Sequence, residues 1–269
     1  MLAIEHSRDG RIVTLTLNRP DKRNALSQSL VKELTKVVDS LGQDAFVRVI
    51  VLTGAGDVFS AGADLEALSA MSTATYEENL ADSEALAALF LAMRSSPKII
   101  LGKINGHAIA GGSGLVAACD VSFASEDAKF GFTEVRIGFV PALVSILLRS
   151  RIGETPLRDV LLSGRLFSAT EAHTLGLVTN VSKDANLESE VLEYAEKIAR
   201  NTSESAVSAT KQLLVETSEL SFADALGVAA RWNAKARGST DCQAGIKAFL
   251  SKKDAPWVES YDSDHCDPA

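Results

Sequence analysis

Two runs of apolar residues decide most of what this chain can fold into. Residues 47–53, centred on Val49-Ile50-Val51-Leu52, and residues 99–104, which begin Ile99-Ile100-Leu101, show none of the polar/apolar alternation of a half-buried strand. Strands that read this way are covered on both faces, as in a parallel sheet layered with helices. Before the first run, residues 11–18 alternate, with Val13, Leu15 and Leu17 on one face and Thr14 and Thr16 on the other. Leu30, Leu34, Val37, Val38 and Leu41 then recur at helical spacing behind Ser27, a residue suited to an N-cap. An alanine-rich helical segment over 77–94 separates the two apolar runs. Strand, helix, buried strand, helix, buried strand predicts an α/β fold.

Past residue 150 the pattern turns helical, over 155–162, 169–175, 187–200, 203–216, 222–237 and 241–250. The simplest division is a core over 1–200, a helical region over 201–253 that packs on the core or on a neighbouring subunit, and an acidic tail over 254–269. The tail has little apolar content and is expected to be flexible. It holds five of the 35 acidic residues, Asp254, Glu259, Asp262, Asp264 and Asp267, and no Lys or Arg. Without it, 30 acids face 27 bases, so the formal charge of −8 reduces to −3 over residues 1–253. Such a balance argues against binding nucleic acid or an anionic membrane, yet leaves room for a small anionic ligand. The longest charge-free apolar stretch, 137–148, falls well short of the roughly 20 residues of a membrane span. The first ten residues lack the apolar core of a signal peptide. Cys119, Cys242 and Cys266 fit neither a disulfide framework nor a zinc pattern, so no metal and a cytoplasmic location are expected.

Eight of the 18 glycines fall in two places, Gly54, Gly56 and Gly62 after the first buried strand and Gly102, Gly106, Gly111, Gly112 and Gly114 through and after the second. Both clusters sit at carboxyl ends of strands, where α/β proteins bind ligands. Neither is a nucleotide motif: Gly112-x-Gly114 lacks a third glycine at the required spacing, and no phosphate loop with Gly-Lys-Ser/Thr occurs. A Gly-Gly pair opening a helix of small residues instead presents bare backbone N–H groups at the positive end of the helix dipole, which suits an oxyanion.

The order of the motifs is more specific than any one of them. Asn18-Arg19-Pro20, Asn24-Ala25-Leu26, Thr53-Gly54-Ala55-Gly56, Phe59-Ser60-Ala61-Gly62-Ala63-Asp64-Leu65, Asn105-Gly106, Gly111-Gly112, Cys119-Asp120, Ala128-Lys129-Phe130, Glu134-Val135-Arg136-Ile137-Gly138, Ala172-x-x-x-Gly176-Leu177-Val178 and Ala248-Phe249-Leu250 follow one another along almost the whole chain. In this arrangement the sequence resembles the crotonase superfamily, the enoyl-CoA hydratases and isomerases. The resemblance implies a spiral of ββα units with C-terminal trimerisation helices, assembled as a homotrimer or a dimer of trimers. It also implies an acyl-CoA substrate, with no cofactor beyond the CoA that the substrate carries. The superfamily's oxyanion-hole donors map onto the backbone N–H groups of Ala63 and Gly111. Its CoA-binding segments map onto Arg23, Ala25, Ala61, Asp64 and Leu65, with Phe249 and Lys252 matching positions near the CoA of a neighbouring subunit. Arg23 either meets a phosphate or is a solvated turn residue, and Asp64 and Asp120 read equally as carboxylates that accept backbone N–H bonds.

Hydratases of this superfamily commonly use two glutamates. The second matches Glu134, its pKa expected to be set by apolar Phe130, Phe132 and Val135, whereas the first falls at Gly114. Ala117 and Ala118, one helical turn on, cannot replace it. Two accounts of a single carboxylate remain open. Glu134 either shuttles a proton from C4 to C2, as in Δ3,Δ2-enoyl-CoA isomerases, or both orients water and protonates C2 in a hydration. The stretch from Glu134 through Pro141-Ala142, with Gly114, resembles hydratases of branched, carboxylated substrates such as 3-methylglutaconyl-CoA. Hydration is the first reading, isomerisation the second, and a CoA-binding scaffold without catalysis the third. If the missing carboxylate limits hydration, Gly114→Glu should raise it. His107 reads as a packed loop residue, Ser60 and Ser113 as non-nucleophilic, Cys119 as a core residue, and Ser145 and Arg149 as shaping the acyl pocket.

Overall fold

The computed structural model describes residues 1–7, 9–64, 69, 71 and 73–265. Its larger sheet has six strands in the order β1 (Leu2–His6), β2 (Ile12–Leu17), β3 (Val49–Gly54), β5 (Ile99–Ile104), β7 (Val121–Ser125) and β10 (Asn180–Ser182). β1 pairs antiparallel with β2, Leu2 opposite Leu17, and every other pairing is parallel. The smaller sheet orders β4 (Val58–Ser60), β6 (His107–Ile109), β8 (Lys129–Gly131) and β9 (Leu166–Ser168), parallel except for the last pair.

The runs apolar on both faces are explained by what lies on each side. Successive residues of a strand point to opposite faces. Val13, Leu15, Ile50, Leu52 and Ile100 pack into one core with α1 (Gln28–Gln43), α2 (Tyr76–Ser95) and α3 (Gly111–Ala118), whereas Ile12, Val49, Val51, Leu101 and Phe123 form a second core with α7 (Asp184–Asn201). All six residues of β3 are buried. α1 begins where its sequence predicts, with the Ser27 hydroxyl accepting from Leu30 N–H at 3.3 Å. α2 opens on a capping box between Thr75 and Glu78.

After β8 come a 3₁₀ turn (Thr133–Ile137), α4 (Ala142–Leu148), α5 (Glu154–Ser163) and, past β9, α6 (Ala169–Thr174). The helical region follows as α8 (Glu204–Glu216), α9 (Phe222–Arg237) and α10 (Thr240–Leu250). α8 is tied to the sheet by two buried lysines. Lys211 Nζ reaches Asp120 at 2.6 Å and the Lys98 carbonyl at 2.7 Å, and Lys98 pairs with Glu204. Burial pushes the Lys211 pKa down against the opposing pull of Asp120.

The expected flexible tail is instead helical over most of its length. α11 (Pro256–His265) packs on α7, burying Val258 and Tyr261. Arg200 holds Asp262 in a bidentate pair with both bonds at 2.7 Å, and Arg11 lies 5.5 Å from the centre of the Tyr261 ring. Two apolar side chains one turn apart suffice to dock a short helix that is otherwise polar.

Candidate active site

Three adjacent parallel strands of the smaller sheet, β4, β6 and β8, deliver the site. Ala63 lies three residues beyond β4, Gly111 two beyond β6 and Glu134 three beyond β8. Ser60 lies opposite Ala108, after a register shift between Val58 and Ser60, and Ile109 opposite Gly131, and the Ala110 N–H donates to the Gly131 carbonyl at 2.7 Å. The three residues therefore emerge together at the carboxyl edge of one sheet.

The loop carrying Ala63 is clamped from a distant part of the chain. Asn24, fully buried and at φ 53°, donates from its side-chain amide to the carbonyls of Ala55 at 2.8 Å and Val58 at 2.7 Å, and accepts from Arg19 N–H at 2.9 Å. It thereby presents the Arg23 carbonyl to Ala61 N–H at 3.0 Å and Leu26 N–H to the Gly62 carbonyl at 2.7 Å, with a further parallel bridge between Leu26 and Ala63. Gly62, at φ 84°, cannot be replaced without a clash, since a Cβ there would lie 2.7 Å from the Ile109 carbonyl oxygen. That closeness seats the Ala63 loop against the start of α3. Among the described residues, neither Ala63 N–H nor Gly111 N–H donates to a protein acceptor. Gly111 is the first residue of α3, so its N–H is one that the helix itself leaves unpaired. Ala110 before it is held at φ 50° and ψ −120°, a conformation an alanine adopts only under constraint.

Glu134 sits in the first turn of the 3₁₀ segment, which Gly138 closes at φ 77°. Its Oε2 is buried and has no hydrogen-bond partner among the described residues. Burial pushes the carboxyl pKa up, opposed by a weaker bond from its own backbone N–H. Phe130 and Phe132 are fully buried, packed against Phe167 at ring separations of 6.0 and 6.3 Å. A half-buried carboxyl with one oxygen unsatisfied is poised to exchange a proton with something the cleft admits.

Several residues expected at the site have other occupations. Asp64, assigned to CoA binding, is 3% exposed and forms an ion pair with Arg19 Nη2 at 2.8 Å, so it braces the loop rather than facing a ligand. Gly114, assigned to the substrate, is buried beneath Phe90 and Val144. A Cβ there would lie 2.8 Å from both Phe90 Cζ and Val144 Cγ1, and the simple expectation that Gly114→Glu raises hydration meets filled space. Ala25 is buried, with its N–H bonded to the Lys22 carbonyl and its carbonyl to Arg19 Nη1. Arg23 is exposed in a left-handed turn beside it. Leu65 lies outside the described residues. Phe249 is 82% exposed on α10, and Lys252 follows at φ 54°; α10 packs on α8, α9 and α11, none of which carries a site residue.

The weaker candidates have structural partners. Asp120 accepts from Ile100 N–H at 2.7 Å and pairs with Lys211; His107 Nδ1 accepts from Lys129 N–H at 3.2 Å. Ser60 and Ser113 donate to the carbonyls of Asn24 and Ala108 at 2.9 and 2.5 Å. Cys119 is fully buried and its thiol pKa is pushed up to about 12 by desolvation. Asn24, which the resemblance sets within the CoA-binding segment Arg23-Asn24-Ala25, has a clamping role that the sequence left unread; its polarity at an apolar Ala25-Leu26 junction, in a residue type that tolerates positive φ, is the available signal.

Against known proteins, the model of the enoyl-CoA hydratase/isomerase family matches residues 7–260. The chain belongs to that family. It is therefore an enzyme of the lyase/isomerase class. Its relatives include a putative enoyl-CoA hydratase of Thermus thermophilus, 41% identical over 91% of this chain and 96% of that protein. A peroxisomal Delta(3,5)-Delta(2,4)-dienoyl-CoA isomerase of Arabidopsis thaliana is 33% identical over 93% and 94% of the two chains. Among solved structures, a putative enoyl-CoA hydratase/isomerase (crotonase) from Legionella pneumophila superposes with a TM-score of 0.86 at 38% identity, covering 95% of this chain and 98% of that one. The crotonase-like α/β fold and the C-terminal helices expected from the sequence are thus present, and membership spans both sheets and the helical region.

Proposed function

We propose that this enzyme adds water across the 2,3 double bond of a 2-enoyl-CoA thioester. The observation that carries the reading is the buried Oε2 of Glu134, without a hydrogen-bond partner among the described residues, at the same sheet edge as two backbone N–H groups that have no protein acceptor among them. The N–H groups of Ala63 and Gly111 hold the thioester oxygen, drawing electron density from C3. The Glu134 carboxylate takes a proton from water as the water oxygen bonds to C3, and the double-bond electrons move toward the thioester as an enolate. Glu134 then returns the proton to C2, the enolate collapses, and the carboxylate is regenerated. Nothing beyond the substrate's own CoA is required. We assign Arg23, exposed beside the Ala61 loop, to a CoA phosphate, by resemblance to the CoA-binding segment of the superfamily. The Glu134 to Ala142 stretch, by its resemblance, favours a branched, carboxylated acyl group such as 3-methylglutaconyl.

The filled space at Gly114 favours a second reading, isomerisation, because moving a proton from C4 to C2 needs one base and no anchored water. Turnover of crotonyl-CoA, 3-methylglutaconyl-CoA and a 3-enoyl-CoA by the wild-type enzyme separates the two. Hydration of a 2-enoyl-CoA above any isomerisation is expected; isomerisation alone would replace the first reading with the second, and no turnover would leave a CoA-binding scaffold.

The assembly proposed is a homotrimer or a dimer of trimers built on the helical region. Leu214, Phe222, Leu226, Phe249 and Leu250 are each more than half exposed there, and supply the apolar surface that such an assembly would cover. A groove of about 630 Å³, lined in part by Trp232, Ile246 and Trp257, opens on the same helices. Sedimentation equilibrium should return three or six times the chain mass of 28.5 kDa, and a monomer would overturn this assembly.

A further inference from the structure

We propose that Phe90 and Val144 select the chemistry of this site, by filling the space that a side chain at 114 would need and so keeping a second proton carrier away from the cleft. The packing half stands on geometry alone; the kinetic half rests on the hydratase reading.

Gly114 lies three residues after Gly111 on α3, and residues so spaced share a helix face. The space beside it is not a gap left by a missing acid. A Cβ there would meet Phe90 Cζ and Val144 Cγ1 at 2.8 Å and Phe90 Cε1 at 3.4 Å, all closer than ordinary contact or at its limit. Phe90 and Val144 are 4% and 3% exposed, come from α2 and α4, and belong to the main core. Both helices pack on α3, and in a close-packed core either side chain yields space only by displacing its neighbours. The next turn of α3 continues the wall with Ala117 and Ala118, at 0% and 1% exposure. An ionised carboxylate introduced here would lose its water without gaining a donor from these residues. The face of α3 around position 114 is therefore apolar and filled, and on the hydratase reading a water attacking the substrate has Glu134 as its anchor.

The test is a set of variants read by melting temperature and by hydration of crotonyl-CoA. Gly→Ala in a helix interior normally stabilises. Here Gly114→Ala should lower the melting temperature in the wild-type background and cost measurably less in a Phe90→Ala background, where the Val144 contact remains. Phe90→Ala combined with Gly114→Glu should hydrate crotonyl-CoA at least about tenfold faster than Gly114→Glu alone, within the range that a positioned acid/base group supplies. A rise in melting temperature for Gly114→Ala, or an equal cost in both backgrounds, would overturn the packing. Faster hydration by Gly114→Glu alone, or no gain in the double variant, would overturn its control of the chemistry. Because Gly114→Ala adds one methyl group, the thermal comparison stands even if Gly114→Glu fails to fold. Absence of wild-type turnover on any enoyl-CoA would sink the hydratase reading and leave the thermal result readable.

Discussion

Replacing Glu134 by Gln should lower kcat by about 10²- to 10⁴-fold, the range for removing a positioned acid/base group, and at the same time raise the melting temperature at neutral pH. The two effects have one cause. Burial raises the Glu134 pKa above its ordinary value, so the folded state binds the proton more tightly than the unfolded chain does. Below the ordinary glutamate range the carboxyl is protonated in both states and costs nothing. As pH rises through that range the unfolded chain gains by ionising, and the folded protein loses stability until the raised folded pKa is passed. Above it the full penalty is present. Gln keeps the shape and never ionises, so its advantage in melting temperature should be visible at pH 7 to 8 and vanish near pH 4. The acidic limb of kcat/KM should likewise lie above the ordinary glutamate pKa in the wild type and disappear in the variant. Thermal unfolding and steady-state kinetics over that pH range check both. An undiminished kcat would remove Glu134 from the chemistry, and a lower melting temperature at every pH would contradict the desolvation argument.

How far the sequence led depended on the distance over which each interaction acts. β3 and β5 were legible because burial on both faces is written in consecutive residues, and α1 because Ser27 and its apolar stripe are local. The C-terminal helices were found to within a few residues for the same reason. The strands β4, β6 and β8 span three residues each, too few for any periodicity to register, yet these are the strands that gather the site. Ala63, Gly111 and Glu134 were picked out by the resemblance of their motifs to the crotonase superfamily, and the Gly-Gly pair opening a helix was the one local feature that pointed to an oxyanion. What surrounds these residues was not legible. Asp64 looked available because the sequence does not place Arg19 beside it, and Gly114 looked empty because Phe90 and Val144 arrive from other helices. α11 was read as flexible because its polar composition gives no hint that Arg200 and the α7 face would receive Asp262 and Tyr261.

The oxyanion hole yields the second large effect, and it needs a variant that removes an N–H without disturbing the fold. Gly111 permits this because it is the first residue of α3, where proline is best tolerated: the missing N–H is one the helix does not use, and the fixed φ suits a helix start. The preceding Ala110, at φ 50° and ψ −120°, lies outside both the α region that a following proline disfavours and the extended region it favours, so the melting temperature of Gly111→Pro is measured beside its rate. The new side chain has one steric consequence, since a Cβ at 111 would lie 3.1 Å from Leu26 Cδ1, the tip of a side chain that can shift by the few tenths of an ångström required. Gly111→Ala meets the same contact but keeps its N–H, so the ratio of the two variants reports the loss of the donor together with the ring carbon that takes its place. Gly111→Pro should be slower than Gly111→Ala by a further 10²- to 10³-fold or so in kcat, about 3–4 kcal/mol of transition-state stabilisation, with similar melting temperatures. The loss should fall on kcat more than on KM, because the thioester oxygen carries its full negative charge only as the enolate forms. Equal rates for the two variants would mean that the Gly111 N–H does not hold the developing charge, and would move the oxyanion hole elsewhere along the carboxyl edge of the smaller sheet.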